Sequence, residues 1–475
     1  MKICLLNDSF PPVIDGVVNA VVNYAEYLSK NNEVLVGTPG YPGEDYSKYP
    51  YQVVAYPSAD TAALTGGYRA GYPFAVKQLG MMKEFQPDII HTHCPMSSMI
   101  MARSLREVTD APVILTYHTK YDIDIRRSIH SHALQEGSIK ALVHHISAAD
   151  EVWAVSHGAG ENLKSLGYEG NYKVVVNGVD FPKGRMPDEE VKRVTGKYDL
   201  PSDVPVFLFV GRIVNYKGLP LIAEALAQLK EEEDFRMVFI GSGVDEKSIK
   251  DKVRKLSITM DETLPDGTVV SHPGSGKGKV IFTGSIPDRN DLRSWNTRAD
   301  LFLFPSVFDT NGLVVREAAA CGLASILIRN SCAAEGITDG VNGYLCEENA
   351  DSLYQMLKYA CSHLDEIHQA GEHAMDEIYI SWSDAVSHAY CLYEDLLERK
   401  RSGKLTARRR LSDDPVFEKT AETILRYSDF MENEMPVYEG MLDNLENRQQ
   451  QLQSAISEKV ADTRKQLEDL LAHLK

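Results

Sequence analysis

Nowhere in the 475-residue chain is there an apolar run of the roughly 18–20 residues that a transmembrane helix requires. Paired cysteines are missing too. Cys4, Cys94, Cys321, Cys332, Cys346, Cys361 and Cys391 are odd in number and never in a C-x-x-C spacing. That argues for reduced thiols and against a disulfide framework or a zinc ribbon. Positive charge is scarce: 50 Lys and Arg stand against 68 Asp and Glu, a net charge of −18. A basic nucleic-acid face is not expected from this balance. Broad adhesion to anionic membranes is disfavoured, although a local basic patch still acts within a Debye length of about 8–10 Å. The opening MKICLLNDSFPP lacks the longer apolar core and small-residue cleavage site of a secretory signal, so the expected setting is the cytoplasm.

What is present is the composition of a globular protein, 43% hydrophobic and 25% charged, at a length suited to two domains and an appendage. Short, nearly continuous apolar runs at Lys2–Asn7, Glu33–Gly37, Asp88–His91, Val113–Thr116 and Glu151–Val155 read as strands buried on both faces. Helical patterns alternate with them; Val17, Val21, Ala25 and Leu28 form one stripe. The pattern lapses over Asp180–Pro201, read as an interdomain connection. It then restarts with strands Val206–Val210, Arg236–Ile240, Val280–Thr283 and Leu301–Phe304 and a helix Leu219–Lys230. Strands alternating with helices imply an α/β protein with two doubly wound parallel sheets. Asp261–Lys279, rich in Gly, Ser, Pro and Asp, reads as a surface loop. Beyond Trp382 the chain turns helical. A basic run spans Arg399–Arg410, and Ile456, Val460, Thr463, Leu467, Leu470 and Leu474 mark a short coiled-coil-like seam that needs a partner surface.

Three constellations carry chemistry. Asp15-Gly16-Val17 stands directly ahead of a helix, where free N–H groups and a side-chain-free residue allow close approach of a phosphate or sugar. An ordinary turn would look the same. Arg212 closes one strand and Lys217 precedes the next helix, at the sheet edge where such folds bind ligands. A guanidinium fork and an ammonium there suit a departing diphosphate, unless both are merely solvated. In Phe304–Ala318, Asp309 and Glu317 lie eight positions apart and flank Asn311-Gly312-Leu313, whose backbone N–H groups open a helix. The helix start would also favour acidic residues on dipole grounds alone.

The stretches FPPVIDGVVNAV, DIIHTHCP, ILTYHTKYD, VWAVSHGAGENL, VVNGVDF, FVGRIVNYKGL, VFIGSGVD, VIFTGSIPD and FPSVFDTNGLVVREAAACG, in this order up to about residue 398, resemble the retaining GT-B glycosyltransferases of family 4. Bacterial diacylglycerol glucosyltransferases and phosphatidylinositol mannosyltransferases are among that family. The resemblance implies an acceptor-binding Rossmann-like domain over 1–185 and a nucleotide-sugar-binding one over 203–380. A crossover helix would follow over 381–400, then a basic linker and helical tail over 401–475. It places Gly16 and the Asp15 loop against the donor diphosphate and reacting sugar, and His118 near the reaction centre. Arg212 and Lys217 would hold the diphosphate, and backbone at Ser285-Ile286 would receive the base. Asp309 would bind sugar hydroxyls, Asn311, Gly312 and Leu313 would complete the cradle, and Glu317 would grip the ribose. The family usually has Glu at the position of Asp309 and often an aromatic or Gly at that of Asn311, which bears on sugar selectivity.

The function expected is hexosyl transfer from a nucleoside diphosphate sugar, UDP-glucose first, to a membrane glycerolipid such as diacylglycerol. No essential metal or cofactor is expected, nor nucleic acid. The alternatives are a soluble or polyprenyl-linked glycan acceptor, or a non-catalytic partner subunit. Peripheral membrane contact is a weaker expectation. It rests on Arg126, Arg127 and Lys140 beside Ile125, Ile129, Leu134 and Leu142, or on the basic run; a cover over the sheet would explain the former equally. Homo-oligomerisation through the C-terminal helices is a further one. His91, His93 and Cys94 could suggest a metal, but no second ligand cluster accompanies them. Asp122 and Asp124 mimic a D-x-D motif in the wrong fold context. Pro273–Lys279 lacks the spacing of a phosphate loop.

Overall fold

The computed structural model describes residues 1–61 and 68–405, together with Thr423. The coiled-coil seam and most of the basic run therefore lie outside the described residues. The apolar runs of the first half form a seven-stranded parallel sheet. Its order is Gln52–Tyr56, Glu33–Pro39, Lys2–Leu6, Ile89–Thr92, Val113–Tyr117, Glu151–Ala154 and Tyr172–Val174. The chain steps outward from Lys2–Leu6 and then crosses back to Ile89–Thr92. That reversal opens a crevice beyond the carboxyl ends of these two strands. The second half repeats the device. Val206–Val210 lies between Arg236–Ile240 and Leu301–Phe304, with Lys279–Gly284 outside the former and Ser325–Ile328 and Tyr344–Cys346 outside the latter. This is the two-domain GT-B arrangement.

Each strand is dictated by its apolar run. Val206, Phe207, Leu208 and Phe209 are all fully buried, as are Met237, Val238 and Phe239 beside them. A side chain of this size contributes about 1.5–3 kcal/mol when removed from water.

One reading of composition is corrected. Asp261–Lys279 is not a surface loop throughout. Thr259–Thr263 pairs parallel with Lys279–Gly284, and Val269–His272 folds back antiparallel on it. The Pro265-Asp266-Gly267 turn residues dominate the composition, yet Met260 is fully buried and Asp261 is paired with Lys279 at 3.1 Å. The connection Asp180–Pro201 joins the two halves and holds a helix of its own, Asp188–Thr195, that packs on the helix Arg289–Arg298.

The helix Trp382–Arg401 returns to the first half. Trp382, Ala385, Val386, Ala389, Tyr393 and Leu396 form a helical stripe in one cluster with Ile3, Leu5, Tyr24 and Trp153. Arg399 bonds Glu151 at its far end. The membrane candidate in the first half is two helices, Tyr121–Ser128 and His132–Ser147. Ile139, Leu142 and Ile146 cover the sheet, while Leu134 is 63% exposed. Among the described residues no helix is long and apolar enough to cross a membrane.

Candidate active site

The site is built from loops at the carboxyl edges of both sheets. In the second half, Gly211-Arg212 follows Val206–Val210, and a short turn Asn215–Lys217 leads into the helix Leu219–Leu229. Gly218 joins them at φ +78°, and a Cβ there would stand 2.2 Å from the Pro305 carbonyl oxygen. Only glycine lets the Lys217 turn press against the loop 305–312. Lys217 Nζ consequently lies 2.5 Å from Asp309 Oδ1, and Ser306 donates to Asp309 Oδ2 at 2.5 Å. Gly312 opens the helix Leu313–Ala320 in the left-handed region, φ +59°, where a Cβ would stand 2.9 Å from that of Ala333. Asn311, just before it, has both side-chain amide atoms buried without a partner. Each such atom costs about 1–3 kcal/mol when nothing binds it.

Arg212 donates to the Tyr216 hydroxyl at 2.8 Å. Glu317, one turn into its helix, is paired with Arg289 at 2.5 Å. Burial raises the Glu317 carboxyl above its usual range, and Arg289 only partly opposes this. Ser285 Oγ donates to Ser242 Oγ at 2.9 Å on the surface, while Ile286 packs against the core of this half.

The first half presents a different edge. Asp15 caps the helix Gly16–Leu28, with Oδ1 accepting from Val17 and Val18 N–H at 2.8 and 2.7 Å. Its Oδ2 accepts from the Tyr68 hydroxyl at 2.8 Å. The carboxylate thus shapes the loop and has both oxygens engaged. His118, 6% exposed, follows the strand Val113–Tyr117, and burial pushes its imidazole down to about 3. The rings of His91 and His93 are also kept neutral by burial. Three of the four ring nitrogens of that pair are bonded to Tyr393, Thr116 and His118. Cys94 is bonded instead to the Tyr121 hydroxyl at 3.2 Å. Asp122 and Asp124 sit in the first turn of Tyr121–Ser128, where the helix dipole favours acids, and Asp122 also accepts from Asn162.

The two edges meet. A Cβ on Gly16 would stand 3.8 Å from Leu313 Cδ1, so helix starts from opposite halves face each other at close range. Thr310 Oγ1 donates to the His118 carbonyl at 2.5 Å, and Lys120 Nζ reaches the Val307 carbonyl at 3.4 Å. Arg127 lays its guanidinium 4.9 Å from the Tyr216 ring and 5.6 Å from Phe308. Glu335 takes the His157 and Gly158 N–H groups at 2.6 and 2.5 Å, closing the start of the helix His157–Ser165 from the other half.

The fold thus gathers Gly16, His118, Asp309 and Leu313 around one crevice, with Lys217 bonded to Asp309, and sets Ser285 and Glu317 along the second half's edge. Sequence reasoning missed Glu335, Arg289, Tyr216 and Thr310. Tyr216 lay inside the quoted FVGRIVNYKGL stretch, and its place between Arg212 and Lys217 was a usable signal. Glu335 had none, since its partners are 178 and 177 positions away.

With this geometry in place, the comparisons with known proteins are specific. Residues 14–182 match the family described as Glycosyltransferase Family 4, and residues 204–363 match Glycosyl transferases group 1. The alpha-monoglucosyldiacylglycerol synthase of Streptococcus pneumoniae is 25% identical over 73% of this chain and 75% of its own length. A GDP-mannose-dependent alpha-mannosyltransferase of Corynebacterium glutamicum is 26% identical over 73% of this chain and 77% of its own. Among solved structures, Anabaena HepE in complex with UDP-glucose superposes with a TM-score of 0.61 at 17% identity, covering 85% of this chain and 100% of HepE.

Proposed function

We propose a donor, an acceptor and a mechanism for a chain that belongs to the glycosyltransferases of family 4: hexosyl transfer from UDP-glucose to the hydroxyl of a membrane glycerolipid such as diacylglycerol, with retention at the anomeric carbon. The observation that carries the donor side is the Lys217–Asp309 contact beside Arg212, at a crevice whose other wall is Gly16 and His118. In this reading the diphosphate enters between Lys217 and Arg212, and Asp309 exchanges its ammonium partner for sugar hydroxyls. The N–H groups at Gly312-Leu313 complete the cradle, and Glu317 holds the ribose beside the base at Ser285-Ile286.

The anomeric carbon–oxygen bond to the diphosphate breaks with the electron pair leaving on the phosphate oxygen. The acceptor oxygen attacks the same face and passes its proton to that phosphate. Catalysis rests on alignment and on the two cations that offset the leaving charge. This needs no divalent cation, so turnover is expected to persist in a chelator. The acceptor follows the Streptococcus pneumoniae relative, whose name specifies a glucosylated diacylglycerol.

The test is sugar transfer by the purified protein with a panel of UDP- and GDP-sugars, with and without diacylglycerol liposomes, read by mass in organic and aqueous phases. A glucolipid formed from UDP-glucose is the expected product. Donor hydrolysis without a lipid product would overturn the acceptor and direct the assay to soluble or carrier-linked glycans.

A further inference from the structure

The H-x-H stretch at the end of the strand Ile89–Thr92 plays no part in the reading above. Alternation along the strand direction puts His91 and His93 on one side, with ring centroids 4.1 Å apart. His91 is closed off by Tyr393 at 2.6 Å and Thr116 at 2.7 Å. His93 is not. Its Nδ1 lies 3.0 Å from His118 Nε2, the ring centroids are 5.2 Å apart with their planes inclined by 28°, and its Nε2 is buried with no partner. The backbones of both residues are pinned, His93 N–H to the Leu6 carbonyl at 2.9 Å and the His118 carbonyl to Thr310.

Resting on the reading of His118 as the group that meets the donor, we propose that His93 is a positioning residue: it donates its Nδ1–H to His118 Nε2, fixes His118 in the Nδ1–H tautomer and turns that N–H toward the crevice. Two neutral rings at this separation share one proton. Were His118 to supply it, His93 would carry its own proton on Nε2, a donor sealed against Tyr24 and His91 with no acceptor in reach. With the proton on His93 Nδ1, the sealed Nε2 holds only a lone pair. His118 then offers a donor to a sugar hydroxyl or to the oxygen of the leaving diphosphate. The opposite tautomer would aim a lone pair at that developing negative charge. Burial holds both rings neutral, so the pair keeps one arrangement through the working range.

The experiment compares full-length His93→Leu, His93→Gln, His93→Asn and His118→Ala in the transfer assay, each with its melting temperature. An asparagine amide nitrogen falls near the position of Nδ1, whereas a glutamine amide reaches toward Nε2. Leu and Gln are expected to lower kcat about 10- to 100-fold at an unchanged donor KM, and Asn to restore it to within about threefold of the wild type. Two-bond 15N–1H correlation on 15N-histidine protein, with His118 assigned from the His118→Ala spectrum, is expected to show the proton on Nδ1. A folded His93→Leu or His93→Gln with wild-type kcat, while His118→Ala is inactive, would overturn the proposal. So would a folded His93→Asn as impaired as Leu, or a proton on His118 Nε2. Full turnover in His118→Ala would instead remove the reading of His118 on which the proposal stands.

Discussion

The two halves share a sheet design and a reversal of strand order, yet their facing edges differ in charge. The second half brings Arg212, Lys217, Asp309, Arg289 and Glu317 to its edge, in pairs that leave the ions partly open to the crevice. The first half brings His91, His93 and His118, all neutral through burial, and even Asp8 is pushed by burial toward its protonated form. A diphosphate needs fixed cations, and ions paired at an edge can exchange partners with a ligand at little desolvation cost. The facing wall has the opposite task of excluding water and offering directional donors, which neutral, packed rings do well.

The contrast can be broken most severely on the charged side. Lys217→Ala and Arg212→Ala are each expected to lower kcat/KM about 10²- to 10³-fold while the melting temperature moves little, measured by transfer kinetics and calorimetry. Turnover near the wild type would show that the edge charge is not what binds the diphosphate. Glu317 sharpens the contrast through pH. Its carboxyl is raised by burial, so the ionised form needed for ribose is lost on acidification sooner than for an ordinary carboxylate. The donor KM is expected to rise as pH falls through that raised value. Glu317→Gln should flatten the profile and raise KM about tenfold at neutral pH. The stability sign runs the other way. A carboxyl raised on folding contributes stability in full below its unfolded value and loses it as pH rises through its folded value.

Between the halves, Glu335→Ala removes the carboxylate that holds the His157 and Gly158 N–H groups. A donor KM raised roughly fivefold and a larger radius of gyration by small-angle scattering are expected. The smallest effect is expected from ending the chain after residue 405. The helix Trp382–Arg401 is retained, with its stripe packed on the first sheet, so donor KM should stay within about twofold. A larger change would tie the distal segment to the site.

Much of this fold was legible because its strands are buried on both faces and so appear as unbroken apolar runs, as in Arg236–Ile240 and Leu301–Phe304. The strand Thr259–Thr263 and the edge strand Val269–His272 beside it escaped because only part of each is buried and a Pro-Asp-Gly turn sits between them. At the site, sequence supplied the cations, the glycines and the acidic pair, whose chemistry and local spacing are properties of the chain alone. It left His93 as a candidate metal ligand, since H-x-H says that two rings are neighbours and nothing about what they face. Asp15 was legible as part of a loop ahead of a helix, while the occupation of both its oxygens was not.

By itself, then, the sequence determined two parallel-sheet halves, the order of their strands' apolar cores and the groups available for a diphosphate, because burial periodicity and side-chain chemistry are encoded locally. Only the tertiary structure decided that Lys217 meets Asp309, 92 positions away, that Glu335 closes a helix of the other half, and that His93 stands behind His118. Those contacts depend on how two separately wound sheets present their carboxyl edges to each other, which no local pattern specifies.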